Sequence, residues 1–278
     1  MSRFFSLLLL FFVSSLTWSK GLVVSTYPLY LIAKEVTQNI EEPTLLLRDQ
    51  TGHDISLTPM HRKIMQDASL LIWLGPEHEA PLAKTLANNR RTVSILDSGI
   101  MQTLPQRNLK GEAIKNTIDT HVWLDPNNAV RIAFFIAALR SQQQPQYKQK
   151  YWDNARHFSR ELIKTSNTFQ TKVKRPYWAY HDAYQYLENA LNLKFAGALT
   201  AEPHVAPTLT QIKYLNDTRP QREMCLLAEG HASANQYQRL DPVVFKEIDE
   251  SMQQEPDFIS AWLHTAEKAQ QCVLKVQK

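Results

Sequence analysis

Three histidines stand where side chains distant in sequence could converge on one ion. His53 follows the run "TLLLRD", His121 precedes "VWLDP", and His181 ends the run "YWAYH". Neutral imidazole is a good donor to zinc, and three such ligands leave one position for a carboxylate or a water. One histidine decides nothing, because most histidines are ordinary surface or half-buried residues. The chain holds nine, and His61, His157, His231 and His264 fall in helical or loop stretches that give them no such role. What distinguishes the three is their placement beside apolar runs. In open α/β sheets, ligands bind outside the carboxyl ends of the strands.

The elements that must position them follow from the apolar pattern. "GLVVSTY", "TLLLRD", "LLIWLG" and "TVSILD" predict short buried strands, interleaved with the helical "LYLIAKEVTQN" and "PMHRKIMQDA". In the middle, "LDPNNAVRIAFFIAALRSQQ" predicts a helix with Asp125 as N-cap and Pro126 in the first position. After Pro145 the chain runs 28 residues, from 146 to 173, without proline or glycine. That predicts one long helix with a wide polar face, lying outside two lobes and joining them. The alternation then resumes. "YWAYH", "KFAGALT", "MCLLAEG" and "VVFKEID" read as strands, and "DAYQYLENALN", "APTLTQIKYLNDT" and "PDFISAWLHTAEKAQQCVLKV" as helices. Strand–helix alternation of this kind implies an α/β fold with mostly parallel sheets flanked by helices. The two halves repeat an architecture without repeating a sequence. The expected organisation is an N-terminal lobe over 20–125, linking helices over 126–174 and a C-terminal lobe over 175–278.

Composition narrows the function. Arg3 and the apolar block after it, followed by small residues around Ser19, predict a secretory signal peptide over 1–19. The block is too short to span a bilayer comfortably, so a soluble exported protein is expected. Lysine and arginine total 31 against 27 acidic residues, and no long basic run appears, which argues against nucleic-acid binding. The two cysteines, Cys225 and Cys272, suggest a disulfide in an exported chain. A thiolate metal site is the alternative, but the close spacing typical of one is missing.

The chain resembles the zinc-binding members of the metal-specific periplasmic solute-binding proteins of ABC transporters, the ZnuA-like proteins. The resemblance is carried by "VVSTYPLYLIAKEV", "GHDISLTPMHRKIMQDASLLIWLGPEHE", "HVWLDPNNA", "YWAYHDAYQYLENALNL" and "CLLAEG". It implies two α/β lobes joined by a long rigid helix, a disulfide between Cys225 and Cys272, and metal binding by His53, His121 and His181. It further implies a periplasmic monomer that binds Zn2+ and delivers it to an ABC membrane permease, with no catalysis. Manganese-type relatives usually carry a glutamate where this chain has His181, and a three-imidazole site suits zinc better.

The chain also departs from the family's pattern. The segment "GEAIKNTID" holds no histidine, so the histidine-rich loop of many zinc-type members is missing. Gly52 occupies the place of a glutamate that serves some members as fourth ligand. The late aspartate of the family matches Asp249 in "FKEIDES" better than Asp241 in "RLDPV", and a water is the remaining option. His78 and His204 are expected near the mouth of the cleft. A manganese or iron binder, a zinc chaperone or an adhesin would share the fold. An exported zinc hydrolase would need Asp249 or Glu229 as a base, and the chain has no HExxH motif.

Overall fold

The computed structural model describes residues 20–48, 55–87, 89–169, 173–229, 237–253 and 255–276. The first sheet contains β1 (Lys20–Val24), β2 (Thr44–Leu45), β3 (Ala68–Trp73) and β4 (Thr92–Ser94), parallel throughout in the order β2-β1-β3-β4. The second contains β5 (Arg175–Ala179), β6 (Leu193–Ala198), β7 (Met224–Ala228) and β8 (Val243–Glu247), parallel in the order β6-β5-β7-β8. Both sheets are wound alike. The first strand pairs the second on one side, and the chain then returns to the other side. The direction of winding therefore reverses between β1 and β3, and again between β5 and β7. Crevices that accept ligands open at such reversals.

The inner strands β1, β3 and β7 are near-continuous apolar runs because helices cover both faces of each sheet. Leu22, Val23 and Val24 have no exposed surface, and all five residues of β7 are buried. The helices are α1 (Tyr27–Thr37), α2 (Pro59–Asp67), α3 (Ala80–Leu86), α4 (Pro126–Gln143), α5 (Lys148–Ser166), α6 (Glu188–Leu191), α7 (Leu209–Asp217) and α8 (Phe258–Lys275). The start of α4 follows the expectation. Asp125 Oδ1 accepts from the Asn127 N–H at 2.8 Å, and Pro126 opens the helix.

The stretch expected to link the lobes forms two helices, the second shorter than expected. α4 and α5 pack against each other, and α5 stops at Ser166 rather than running on to residue 173. Neither proline nor glycine ends it. Ser166 Oγ donates to the Ile163 carbonyl and Thr168 Oγ1 to the Thr165 carbonyl, so side chains compete for helix acceptors and the last turn tightens to a 3₁₀ form. The expected helix over 182–192 is likewise reduced to a 3₁₀ turn and the single turn of α6. Its side chains are engaged in contacts to the first half of the chain, as described below.

One apolar core runs through the whole molecule. It joins Leu22 and Ile72 of the first sheet to Ile132 of α4, Leu162 of α5, Leu227 of the second sheet and Trp262 of α8. A buried ion pair fixes the helix pair to the first lobe. Arg140, 1% exposed, donates through Nε and Nη2 to the two oxygens of Glu41, both at 2.7 Å, and Tyr151 Oη donates to Glu41 Oε1 at 2.8 Å. A Cβ at Gly21 would lie 2.6 Å from Glu41 Oε2, so this approach requires glycine. Replacing Glu41 with alanine would leave the Arg140 charge buried and alone. The Glu41→Ala variant should lose about 3–5 kcal/mol in urea unfolding.

Cys225 and Cys272 form the disulfide, which ties β7 to α8 across 47 residues of chain. On the chain-entropy picture, closing a loop of that size contributes about 4 kcal/mol. The double variant Cys225→Ala/Cys272→Ala should unfold about 2–5 kcal/mol more easily, with the same secondary structure by circular dichroism at low temperature.

Candidate metal centre

The stretch from Asp119 to Asp125 lies between the lobes, and His121 sits in it, 6% exposed. Asp119 makes a local clamp. Its Oδ1 accepts from the His121 backbone N–H at 3.1 Å and lies 2.8 Å from His121 Nδ1. A two-residue offset lets one carboxylate reach both groups, and the carboxylate–histidine pair fixes the ring and its tautomer. Burial works to lower the His121 pKa, but the hydrogen bond and charge of Asp119 outweigh it and the net direction is upward.

His181 lies two residues beyond β5 and is 3% exposed. β5 and β7 are the neighbours between which the second sheet reverses its winding, and Glu229 directly follows β7. His181 Nδ1 lies 2.5 Å from Glu229 Oε1. The centroids of the His121 and His181 rings are 5.6 Å apart. Two imidazoles on one tetrahedral zinc have centroids about 5 Å apart, so these two rings fit a shared ion.

Glu250 completes a group with His181 and Glu229 in which one donor atom from each lies within 4.8 Å of the others. The spacing inside that group decides its role. Ligands of one tetrahedral zinc sit about 3.3 Å apart, whereas the His181–Glu229 contact at 2.5 Å is a proton-sharing distance. Glu229 therefore stands beside His181 at Nδ1. Burial alone would raise the Glu229 carboxyl, but the hydrogen bond and charge of His181 hold it below the usual range. Burial and the Glu229 charge push Glu250 well above it. Asp249 is directed elsewhere. Its Oδ1 accepts from the Ser251 N–H at 2.9 Å and the Ser251 hydroxyl at 2.5 Å, and its Oδ2 accepts from the Gln253 N–H at 3.0 Å.

A cavity of about 340 Å³ opens onto the two imidazoles and is lined by Asp119, Asp182, Glu77, Glu202 and Arg107 among others. The segment before this stretch forms one wall. It folds back on itself at a bridge between Arg107 and Ala113 and docks on the second lobe, where Leu109 O accepts from the Ala198 N–H at 3.0 Å. Arg107 lies over the Phe195 ring, 4.1 Å from its centroid. Its Nε and Nη2 donate to the two oxygens of Asp182 at 2.8 and 2.6 Å, and its Nη1 lies 2.7 Å from Glu188 Oε1. Asp182 follows His181 directly, so this bridge fixes the backbone that carries the imidazole.

The family model for the periplasmic zinc-uptake complex component A, ZnuA, matches residues 22–271. The chain belongs to this family. The high-affinity zinc uptake system protein ZnuA of Brucella abortus (strain 2308) is 27% identical over 242 residues, 71% of this chain and 72% of that protein. Among solved structures, AdcAII of Streptococcus pneumoniae superposes with a TM-score of 0.73 at 20% identity, covering 93% of this chain and all of that one. Zn(II)-bound AdcA of the same organism superposes with a TM-score of 0.72 at 19% identity, and this chain spans 58% of that longer protein. These neighbours share the two-sheet α/β fold.

Membership of the ZnuA family makes zinc the expected metal and the chain a binding protein of zinc uptake, without catalysis. Of the four ligands expected from sequence, the structure brings His121 and His181 together, and His53 lies outside the described residues. Asp249 is held by its own turn, and the neighbouring Glu250 faces the site's acids instead. Other histidines follow the plainer reading. His61 Nδ1 accepts from the Thr58 N–H at the start of α2, His157 and His204 are exposed, and His264 pairs with Glu255 at 2.7 Å. His231 lies outside the described residues. Sequence reasoning passed over Asp119, the pairing of Glu229 with His181, and Arg107. Only Asp119 left a local signal, its two-residue offset from His121.

Arg107, Asp182 and Glu188 each expose less than a fifth of their side chains. Without the guanidinium, two acids would remain buried with no counter-charge. Arg107→Ala should therefore cost about 3–5 kcal/mol in chemical unfolding. Asp182→Asn in the Arg107→Ala background should cost less than it does alone, the mark of a coupled pair.

Proposed function

We propose that this protein captures Zn2+ in the periplasm between its two lobes and hands it to the membrane permease of an ABC importer. The ligands are His53, His121 and His181, and residues 1–19 are the leader removed on export. The observation that carries the proposal is the pair of buried imidazoles, His121 and His181, with rings 5.6 Å apart and a carboxylate beside each Nδ1. A neutral imidazole backed by a carboxylate is the usual outer arrangement of a zinc-binding histidine.

The geometry bears on release as well as capture. The lobes share one core, and indole donors cross between them at Trp123–Glu250 and Trp262–Leu124. Lobe motion on binding is therefore small, and the permease must disturb the site to draw the ion out. A hydrolytic role has little support from the acids. Glu229 is turned to His181 and Asp249 to its own turn, so neither is placed to activate a water. Among the described residues, no helix is long and apolar enough to cross a membrane.

Zinc affinity, measured by competition with a chromophoric chelator, tests the ligand set. His53→Ala, His121→Ala and His181→Ala should each weaken binding by more than about 100-fold, beyond the 10–100-fold loss typical of an outer-shell partner. Affinity near that of the unmodified protein in any one variant would remove that residue from the site.

A further inference from the structure

The geometry points to His78 as a fourth imidazole ligand, supplied by the first lobe to the ion held by His121 and His181. This inference rests on the zinc-binding reading above and adds a ligand to it.

His78 is 7% exposed and stands in the turn after β3, where the first sheet reverses its winding. Its position mirrors those of His181 and Glu229 in the second lobe. The turn is held rigidly. The buried Glu79 carboxylate accepts from the Leu74 and Gly75 N–H groups at 2.7 and 3.4 Å, and the N–H groups of His78 and Glu79 both donate to the Gly75 carbonyl. Gly75 has φ +144°, and a Cβ there would lie 2.9 Å from Ser94 Oγ, so the turn needs glycine.

Orientation ties His78 to the other two rings. His78 Nδ1 lies 2.8 Å from Thr120 Oγ1, His121 Nδ1 lies 2.8 Å from Asp119 Oδ1, and His181 Nδ1 lies 2.5 Å from Glu229 Oε1. Each imidazole has an oxygen at Nδ1, which presents Nε2 on the opposite edge of the ring as the metal donor. Thr120 sits between Asp119 and His121, so adjacent residues of one stretch orient both rings. The rings follow one another in space. The His78 and His121 centroids are 6.2 Å apart, and His121 and His181 are 5.6 Å apart. The Trp123 ring borders His78 and His121 at 5.4 and 5.5 Å and limits their rotation. The first gap exceeds the spacing on one tetrahedral zinc by about 1 Å, and the donor atoms of the three rings do not all lie within 4.8 Å of one another, so the His78 side chain must move toward His121 when the ion binds.

The fourth position needs such a donor. Tetrahedral zinc takes four ligands, and the three proposed histidines supply three. Asp249 is held by its turn, and Glu229 lies against His181 Nδ1.

A crystal structure of the zinc-loaded protein with data at the zinc absorption edge tests this directly. The expected result is an anomalous peak about 2.0–2.1 Å from Nε2 of His78 as well as of His121 and His181. A peak bound to His121 and His181, with His78 Nε2 more than about 3 Å away, overturns this inference alone. A peak remote from all three overturns the zinc-site reading itself. In solution, His78→Leu should weaken zinc binding at least 30-fold while leaving the zinc-free urea midpoint near that of the unmodified protein. Binding within threefold of the unmodified protein, in a variant that folds, would refute the ligand role. If His78→Leu does not fold, the crystallographic distance decides.

Discussion

The structure depends on a buried stretch of backbone. Between Asp119 and Asp125 the chain runs between the lobes with almost no exposed surface, and its polar groups must find partners there. The partners come from both sides. The Asp119 N–H donates to the Leu104 carbonyl, the Asp119 carbonyl accepts from Tyr186 Oη at 2.9 Å, and the Leu124 carbonyl accepts from Trp262 Nε1 at 2.9 Å. Tyr186 and Trp262 belong to the second half of the chain. Fixing this backbone therefore fixes the relation of the two lobes, and with it the place of His121.

The same packing joins two lobes with separate sheets. Each sheet has an outer apolar cluster of its own, but the inner faces merge through α4, α5 and α8 into one core. The Arg140–Glu41 pair holds the helix pair to the first lobe, and the disulfide holds α8 to the second sheet. A hinge needs a few residues that absorb backbone rotation, and here those positions are packed and hydrogen-bonded. Such a frame suits a site in which ligands are organised before the ion arrives, since less ordering remains to be done on binding.

Charge around the site is distributed so that a bound dication finds anionic support. Asp119 and Glu229 lie beside the Nδ1 atoms of His121 and His181, and burial with the Glu229 charge pushes the Glu250 carboxyl upward. Asp182 would add another buried negative charge, and Arg107 offsets it through two parallel hydrogen bonds. Burial pushes the Asp182 carboxyl upward, and the guanidinium works against that shift.

Much of this protein was written in local sequence. Apolar runs such as "LVV" and "MCLL" fixed the strands because parallel strands covered on both faces tolerate little else, and Asp125–Pro126 marked the start of α4 because capping is a contact between near neighbours. The doubling of the fold, the disulfide and the placement of His121 and His181 beside strand ends or the lobe junction were also legible, the last two with the help of family motifs. What tertiary structure decided were the pairings across long separations: Arg107 with Asp182, Arg140 with Glu41, His78 with Thr120, and His181 with Glu229. It also decided that α5 ends at Ser166, and that Glu250 rather than Asp249 joins the acids of the site. The reason is physical. Periodicity and capping report interactions within a turn or two of the chain, whereas a buried charge takes whichever partner the packed fold brings within about 3 Å.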